Sequence, residues 1–389
     1  MGLTASLDMG TEKMVMALGL EERGVFRLKG LKASVAQGME RGYVTDWEKV
    51  KTCVNVLMKD LLKDKEVEVM NVGLSGEVLR VSEHQVRTGV QKKVVGPGDL
   101  MRAEQRCRET VGCRRGEELV DLVPVAYSVD RGSRVADPLG RSGSELEVTY
   151  LAYKADSAYL SQVLHLFDGR RIGEVCFYPA VRSYREVLEV EQEGDLALID
   201  LGAAGIDVAL FRDGLLVQDA WLPLGVRTID FDIMTAFNVN AGQARRLKHE
   251  YGEALRSVCK NKKVQIPDTN LTLESRDLAM VVQSRTEELL EGAVCLLQAW
   301  KFDASDARIL LTGGGCRLKN VDMLLCRLSG HPVEVAAVHG IQTTREEVLR
   351  TPEYMVALGL LKCSHPEIGD GRSGIGQKLI AGFRGIFGI

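Results

Sequence analysis

Three glycine-bearing turns in this chain carry residue types that hold phosphate. The first reads Asp8-Met9-Gly10-Thr11-Glu12-Lys13, the second opens Asp200-Leu201-Gly202, and the third is Thr312-Gly313-Gly314-Gly315. Backbone N–H groups at a tight turn bind phosphate oxygens, and glycine removes the Cβ that would bar their approach. An Asp beside such a turn can hold Mg2+, directly or through its waters. Asp8 and Asp200 are therefore the candidate Mg2+ carboxylates. Thr11 and Lys13 are candidate phosphate donors, and Gly10 and Gly202 are the turn glycines. Gly313, Gly314 and Gly315, between an apolar strand and a helix, suit close backbone approach to a nucleoside. Each turn alone has an ordinary explanation, because Asp and Gly favour β-turns. Three in this order, two of them duplicated, point to a nucleotide.

The elements that must position these turns are legible around them. "ASLDMGTEKMVMALGL" and "LALIDLGAAGIDVALFRDG" each read as apolar strand, Asp-x-Gly turn, apolar strand. Such an internal repeat implies two related domains facing each other. After each hairpin, strands and helices alternate, as in an α/β domain with a mostly parallel sheet. The clearest helix is Thr45–Asp64, where Thr45 and Glu48 have capping-box spacing and Val50, Cys53, Val54, Leu57 and Leu61 share a face. Further helices are expected at Asp99–Thr110, Ala155–Phe167, Ala241–Ser257 and Leu273–Trp300. Between Ser82 and Lys154 the texture changes to short strands around one helix, with the turn-rich run "SVDRGSRVADPLGRSGSELEV". This reads as an inserted subdomain.

Composition narrows the function classes. The 389 residues are 45% hydrophobic and 27% charged, enough for two folded domains. The net charge of −4 lacks the basic excess expected of a nucleic-acid binder. Nine cysteines include no C-x-x-C pair, and most lie in apolar runs such as "GAVCLLQAW", which suggests buried, reduced thiols. The six histidines show no metal-ligand spacing. No window reaches the roughly 18 apolar residues of a membrane span.

The set of motifs resembles the actin, Hsp70 and sugar-kinase superfamily, and within it the FtsA cell-division family. "ADPLGRSGSELEV" is similar to that family's characteristic insert, and "PLGVRTIDFDI", "RRLKHEYGEA", "SRTEELLE" and "ILLTGGG" follow in its order. The resemblance implies an actin-like fold of two related RNase H-like domains with an SHS2-like α+β insert. The first domain would comprise 1–81 and 155–193 around the insert at 82–154. The second would comprise 194–225 and 303–361 around a subdomain at 226–302. A linker at 362–374 and an amphipathic helix at 375–389 would follow. The resemblance adds Gly205, Gly225 and Lys248 to the nucleotide site and implies ATP and Mg2+ as ligands. It places the C-terminal peptide of the tubulin-like FtsZ on 226–302, with Arg285 facing its acidic groups. Self-assembly into protofilaments and contacts with later division proteins follow from the same resemblance.

Departures from the family pattern fall at the second hairpin. The family's Asp-x-Gly-Gly-Gly-Thr-Thr-Asp is here Asp200-Leu201-Gly202-Ala203-Ala204-Gly205-Ile206-Asp207. Two alanine methyls crowd the phosphates, and both threonine hydroxyls are lost. Val226 replaces a glycine, and Arg245 stands where a ribose-contacting Glu is usual. Weak nucleotide binding with slow or absent hydrolysis is the expectation. A sugar-kinase-like phosphotransferase is disfavoured by the altered hairpin. A type IV pilus assembly scaffold of the PilM kind is disfavoured by the tail.

That tail, "GIGQKLIAGFRGIFGI", places Leu379, Ile380, Phe383, Ile386 and Phe387 within an arc of about 120° on a helical wheel. Lys378 and Arg384 flank the arc, where their stems can snorkel beside headgroups. About 14 residues make a helix of roughly 21 Å, too short to cross a bilayer and suited to lying in its interface. Anionic lipid on the cytoplasmic face is the expected partner.

Overall fold

The computed structural model describes residues 2–63, 65–188 and 194–363. In chain order the first half opens with β1 (Leu3–Met9), β2 (Lys13–Glu22) and β3 (Val25–Val35), then α1 (Trp47–Leu61) and β4 (Val67–Leu74). The insert supplies β5 (Arg80–Gly89), α2 (Pro97–Thr110), β6 (Glu117–Val129) and β7 (Glu145–Asp156). The chain continues through α3 (Ser157–Leu164), β8 (Ile172–Pro179) and α4 (Ala180–Val187). The second half runs β9 (Asp195–Leu201), β10 (Ile206–Arg212), β11 (Leu215–Leu222), α5 (Thr228–Phe237) and α6 (Ala241–Tyr251). It continues with β12 (Lys263–Gln265), β13 (Thr272–Glu274), α7 (Ser275–Ala299), β14 (Arg308–Thr312), α8 (Val321–Ser329) and β15 (Val333–Val335). Last come β16 (Ile341–Gln342) and α9 (Met355–Lys362).

The two main sheets repeat one topology. The first has the order β8-β4-β1-β2-β3-β16, and the second has β11-β10-β9-β14-β15. In each, an antiparallel hairpin leads into parallel neighbours: β1 runs parallel to β4, and β9 parallel to β14. Strands covered on both faces must be apolar throughout. Accordingly Leu7, Met14, Met16 and Leu18 are fully buried in the first sheet, as are Leu198, Val208 and Phe211 in the second. α9 packs against β1, β2 and β4, α4 packs against α9 and β8, and Leu198, Phe211 and Leu310 of the second sheet join the same core. α7 and α8 cover the opposite face of that sheet.

Several local expectations change. α1 is capped by Asp46, whose carboxylate accepts the Lys49 N–H at 3.2 Å, so the cap lies one residue after Thr45. α6 ends at Tyr251 instead of running to Ser257, because Gly252 packs against Leu318 and the chain turns to pair Ala254 N–H with the Lys319 carbonyl. The insert's strands are long, not short: β6 and β7 have 13 and 12 residues. They form a three-stranded sheet, β5-β7-β6, over α2, with Val86, Ala103, Cys107, Leu146 and Val148 at its core. Cys295, in the apolar run read as buried, is exposed, as are Cys113 and Cys326. The expected linker begins two residues late, since Lys362 closes α9 and Cys363 is buried; residues 364–389, with the rest of the linker and the tail, lie outside the described residues.

Candidate functional site

All three turns open into one cavity of about 820 Å3 between the two halves. Asp8 and Asp200 occupy equivalent places, near the carboxyl ends of β1 and β9, and the third turn follows the neighbouring parallel strand β14. Crevices at the carboxyl ends of parallel strands are where open α/β sheets bind ligands. Gly10, Thr11, Lys13, Gly202, Gly205, Lys248, Gly313, Gly314 and Gly315 line the same cavity.

The glycines serve two different purposes. A Cβ on Gly10 would stand 2.5 Å from the Lys13 carbonyl oxygen, and one on Gly202 2.7 Å from that of Gly205. These glycines let each hairpin close on its own backbone. Gly313 has φ +86°, and a Cβ there would meet an Asp200 carboxylate oxygen at 2.1 Å. Gly314 differs: its Cβ would meet nothing within 4 Å, so its backbone faces open cavity. Gly225 does not line the cavity; it supports the second turn, within 2.4 Å of the Ala203 carbonyl for a built Cβ.

The two hairpins are electrostatically unequal. Opposite Asp8 in the ladder stands Val15, whereas opposite Asp200 stands Asp207. Like charges directly across a strand pair repel. Burial, then the neighbouring Asp200, pushes the Asp8 carboxyl up to about 7, against the pull of Lys13. Burial pushes Asp200 up to about 6, although the Tyr184 hydroxyl donates to it at 2.9 Å. Asp207 is raised well above the carboxylate range by burial and then by Asp200, Asp219 and Asp8. Asp219, raised by burial to about 6, accepts a hydrogen bond from the insert's Tyr153 at 2.9 Å.

The cations are mostly committed. Lys13 meets Glu353 at 2.6 Å. Lys248 is buried against Asp230 at 2.8 Å and donates to the Val226 carbonyl at 3.1 Å. Arg245 reaches Glu12 at 3.4 Å. Arg285 is remote from the cavity and forks onto Asp232 at 2.6 and 3.0 Å, with Glu288 at 2.5 Å. Trp221, Tyr184, Arg41, Ser75, Arg317 and Glu353 also line the cavity and were not singled out from the sequence. Asp207 and Arg245 did carry a signal there, as the closing Asp of the second motif and as the residue at the family's ribose-contacting position.

This donor set fits a nucleotide carrying a divalent cation. Two carboxylates from opposite halves are held toward their neutral forms by burial, and Mg2+ would keep them ionised. Among the described residues, no three His, Cys, Asp or Glu side chains are grouped to hold a metal alone. Phosphate oxygens and water would complete its shell, as Mg2+ prefers. The second turn fits hydrolysis poorly. Ala203 and Ala204 line the cavity, and Ile206 is fully buried in β10 with no donor to offer.

Residues 197–359 match the family model described as "Cell division protein FtsA", and residues 76–153 match "SHS2 domain inserted in FTSA". Together the two matches cover more than half of the chain. Cell division protein FtsA of Escherichia coli (strain K12) is 23% identical over 377 residues, covering 92% of this chain and 89% of that protein. Among solved structures, a PilM–PilN type IV pilus biogenesis complex aligns at TM-score 0.66 and 17% identity, covering 92% of this chain and 97% of that one. MreB5 of Spiroplasma citri bound to AMPPNP aligns at TM-score 0.50 and 12% identity, covering 92% and 94%. At these identities the structural likeness speaks for an actin-like fold alone.

Proposed function

The chain belongs to the FtsA family of cell division proteins, and on that premise we propose that it is an actin-like scaffold that binds ATP with Mg2+ between its halves. It polymerises on the cytoplasmic face of the membrane and tethers FtsZ filaments there. The observation that carries the nucleotide reading is the convergence of three separated turns on one cavity, with Asp8 and Asp200 facing it from opposite halves. That a fold neighbour is a complex with AMPPNP supports it.

Binding without appreciable turnover is the expected behaviour. Purified full-length protein is expected to bind ATP in Mg2+, to lose that affinity at least about tenfold on Asp200→Ala, and to release phosphate only at background. Loss of a hydrogen-bonded charged contact typically costs about 1.5–3 kcal/mol, which sets that scale. Phosphate release above background that disappears in Asp200→Ala would show an active hydrolase and defeat this reading.

The FtsZ peptide is assigned to the region 226–302, with Arg285 as its cationic contact. Glu288, 57% exposed, is the partner an acidic peptide would displace most easily. Filament contacts run from the insert of one subunit to the 226–302 region of the next. No helix among the described residues is long and apolar enough to cross a membrane. Attachment is assigned to the tail, where Leu379, Ile380, Phe383, Ile386 and Phe387 form the apolar arc and Lys378 and Arg384 its edges. One such helix binds reversibly, and a filament presenting many gains by avidity. Full-length protein should pellet with anionic liposomes, and Phe383→Glu with Phe387→Glu should abolish pelleting; undiminished pelleting of that variant contradicts the anchor.

A further inference from the structure

Three ion pairs that join the two halves at or beside the cavity share one polarity. Arg227, at the start of α5, places one guanidinium nitrogen 2.5 Å from both carboxylate oxygens of Glu40. Arg245 on α6 meets Glu12 in the first turn at 3.4 Å. Arg317, just after the third turn, meets Glu353 at 2.6 Å. In each pair the arginine belongs to the second half. The glutamate belongs to the first half or, for Glu353, to the segment between β16 and α9 that packs with it. A hydrogen bond from the Thr312 hydroxyl to the Pro352 carbonyl, 3.0 Å, crosses at the same place.

We propose that these three pairs form an electrostatic latch that closes the two halves without help from a ligand and so gates entry to the cavity. The pairs use only the chain's own residues, and neither Arg227–Glu40 nor Arg245–Glu12 can form within one half. Two of them also have fallback partners. Glu353 keeps Lys13 at 2.6 Å, and Arg245 lies 4.0 Å from Asp230 in its own half. Opening therefore leaves those two charges paired, which gives the molecule two discrete arrangements instead of a continuum. Arg317 forks onto Glu353, with Nε 2.7 Å from one carboxylate oxygen and Nη2 2.6 Å from the other, which holds that pair in fixed geometry. Arg245, Arg317, Glu12 and Glu353 all line the cavity, so the latch stands on the route in. The latch concerns the same cavity as the nucleotide reading and depends on that reading only for its rate readout.

The pairs are part-exposed, with the Arg317 and Arg245 side chains 63% and 51% accessible. Salt therefore weakens them. An exposed pair shifts an equilibrium by about two- to fivefold, and several acting together by on the order of tenfold. The test uses full-length protein carrying two bioorthogonal labels, at exposed Val56 on α1 and exposed Met280 on α7, to read the separation of the halves. In wild type at low salt, one short distance is expected, unchanged by ATP. Arg227→Glu with Arg245→Glu should lengthen it and speed association of a fluorescent ATP analogue several-fold. Adding Glu40→Arg and Glu12→Arg should restore both. An unchanged distance in the reversal variant, or a swap that restores nothing, overturns the latch. If the reversal variant fails to fold, salt from 0.05 to 1 M on wild type decides, because an unaltered separation across that roughly 4.5-fold change in screening length also overturns it. Failure of the analogue to bind any variant would count against the nucleotide reading, while the label distance still decides the latch.

Discussion

Asp8→Asn is expected to raise thermal stability at pH 8 while removing Mg2+-dependent nucleotide binding. Burial and the Asp200 carboxylate push Asp8 up to about 7, from an ordinary value of 3.8. A carboxyl whose pKa is raised on folding binds its proton more tightly in the folded chain. Its contribution is complete below pH 4 and is lost as the pH climbs through about 7. Above that, the folded protein holds an ionised carboxylate it would hold more comfortably neutral, and Asn is the neutral isostere. The rise from 3.8 to about 7 sets a ceiling of about 4 kcal/mol. Asp8 reaches the cavity and some water, so a gain of about 1–2 kcal/mol and a Tm rise of several degrees is the realistic scale. Melting in chelator from pH 5 to 8 checks the sign: the two proteins converge at low pH, and the variant leads at high pH. A variant less stable than wild type at pH 8 would mean that Asp8 is held by attraction to Lys13 and not strained by burial. In wild type the same logic makes Mg2+-nucleotide affinity rise from pH 6 to 8, because metal and proton compete for this carboxyl.

The duplicated hairpins were legible because strand periodicity and the Asp-x-Gly turn are local signals. The two sheets follow from them, since β1 and β9 must each pair antiparallel with the next strand and parallel with a later one. What was not legible is what depends on register and distance. Asp207 faces Asp200 only because β9 and β10 pair as they do. Tyr184, 16 residues before Asp200, reaches it because α4 packs between the sheets. Glu353 meets Lys13 across 340 residues of chain. Lys248 lines the cavity and also closes a buried pair with Asp230, a partner that no local signal gives, since a buried ammonium needs one close by. Cys295 illustrates the limit of apolar runs. A 25-residue helix has a solvent face wherever its neighbours end, and the run around 295 crosses it.

The asymmetry between the hairpins bears on what this cavity can do. The first offers Thr11 and Lys13 at its turn; the second offers two alanine methyls and an extra carboxylate. A triphosphate held between them meets donors on one side and added negative charge on the other. Such a site can hold nucleotide through a metal ion, yet it lacks the paired donors that would stabilise charge developing on a departing phosphate. On the proposed reading, ATP would serve there as a bound structural ligand, while the proposed latch of Arg–Glu pairs would make closure a property of the protein itself.

Gly359→Ala is expected to destabilise the protein by about 2 kcal/mol, against the sign helix propensity predicts. Gly359 lies inside α9, where Ala in place of Gly ordinarily gains about 1 kcal/mol. Here α9 crosses α4 so closely that a Cβ would stand 2.2 Å from the Ser183 carbonyl oxygen and 2.7 Å from its carbon. Both atoms are backbone, so no side chain can swing aside. The helices must part, and overpacking of this kind costs about 1–3 kcal/mol beyond any propensity gain. The displacement also reaches the cavity, because Tyr184 follows Ser183 and donates to Asp200 at 2.9 Å. A lower denaturation midpoint and weaker nucleotide binding should therefore appear together. Gly314→Ala provides the contrast, since its Cβ would meet nothing within 4 Å and should leave the midpoint unchanged. If Gly359→Ala melts at or above wild type, the α4–α9 crossing is looser than these distances say, and Tyr184 is not held to Asp200 by helix packing.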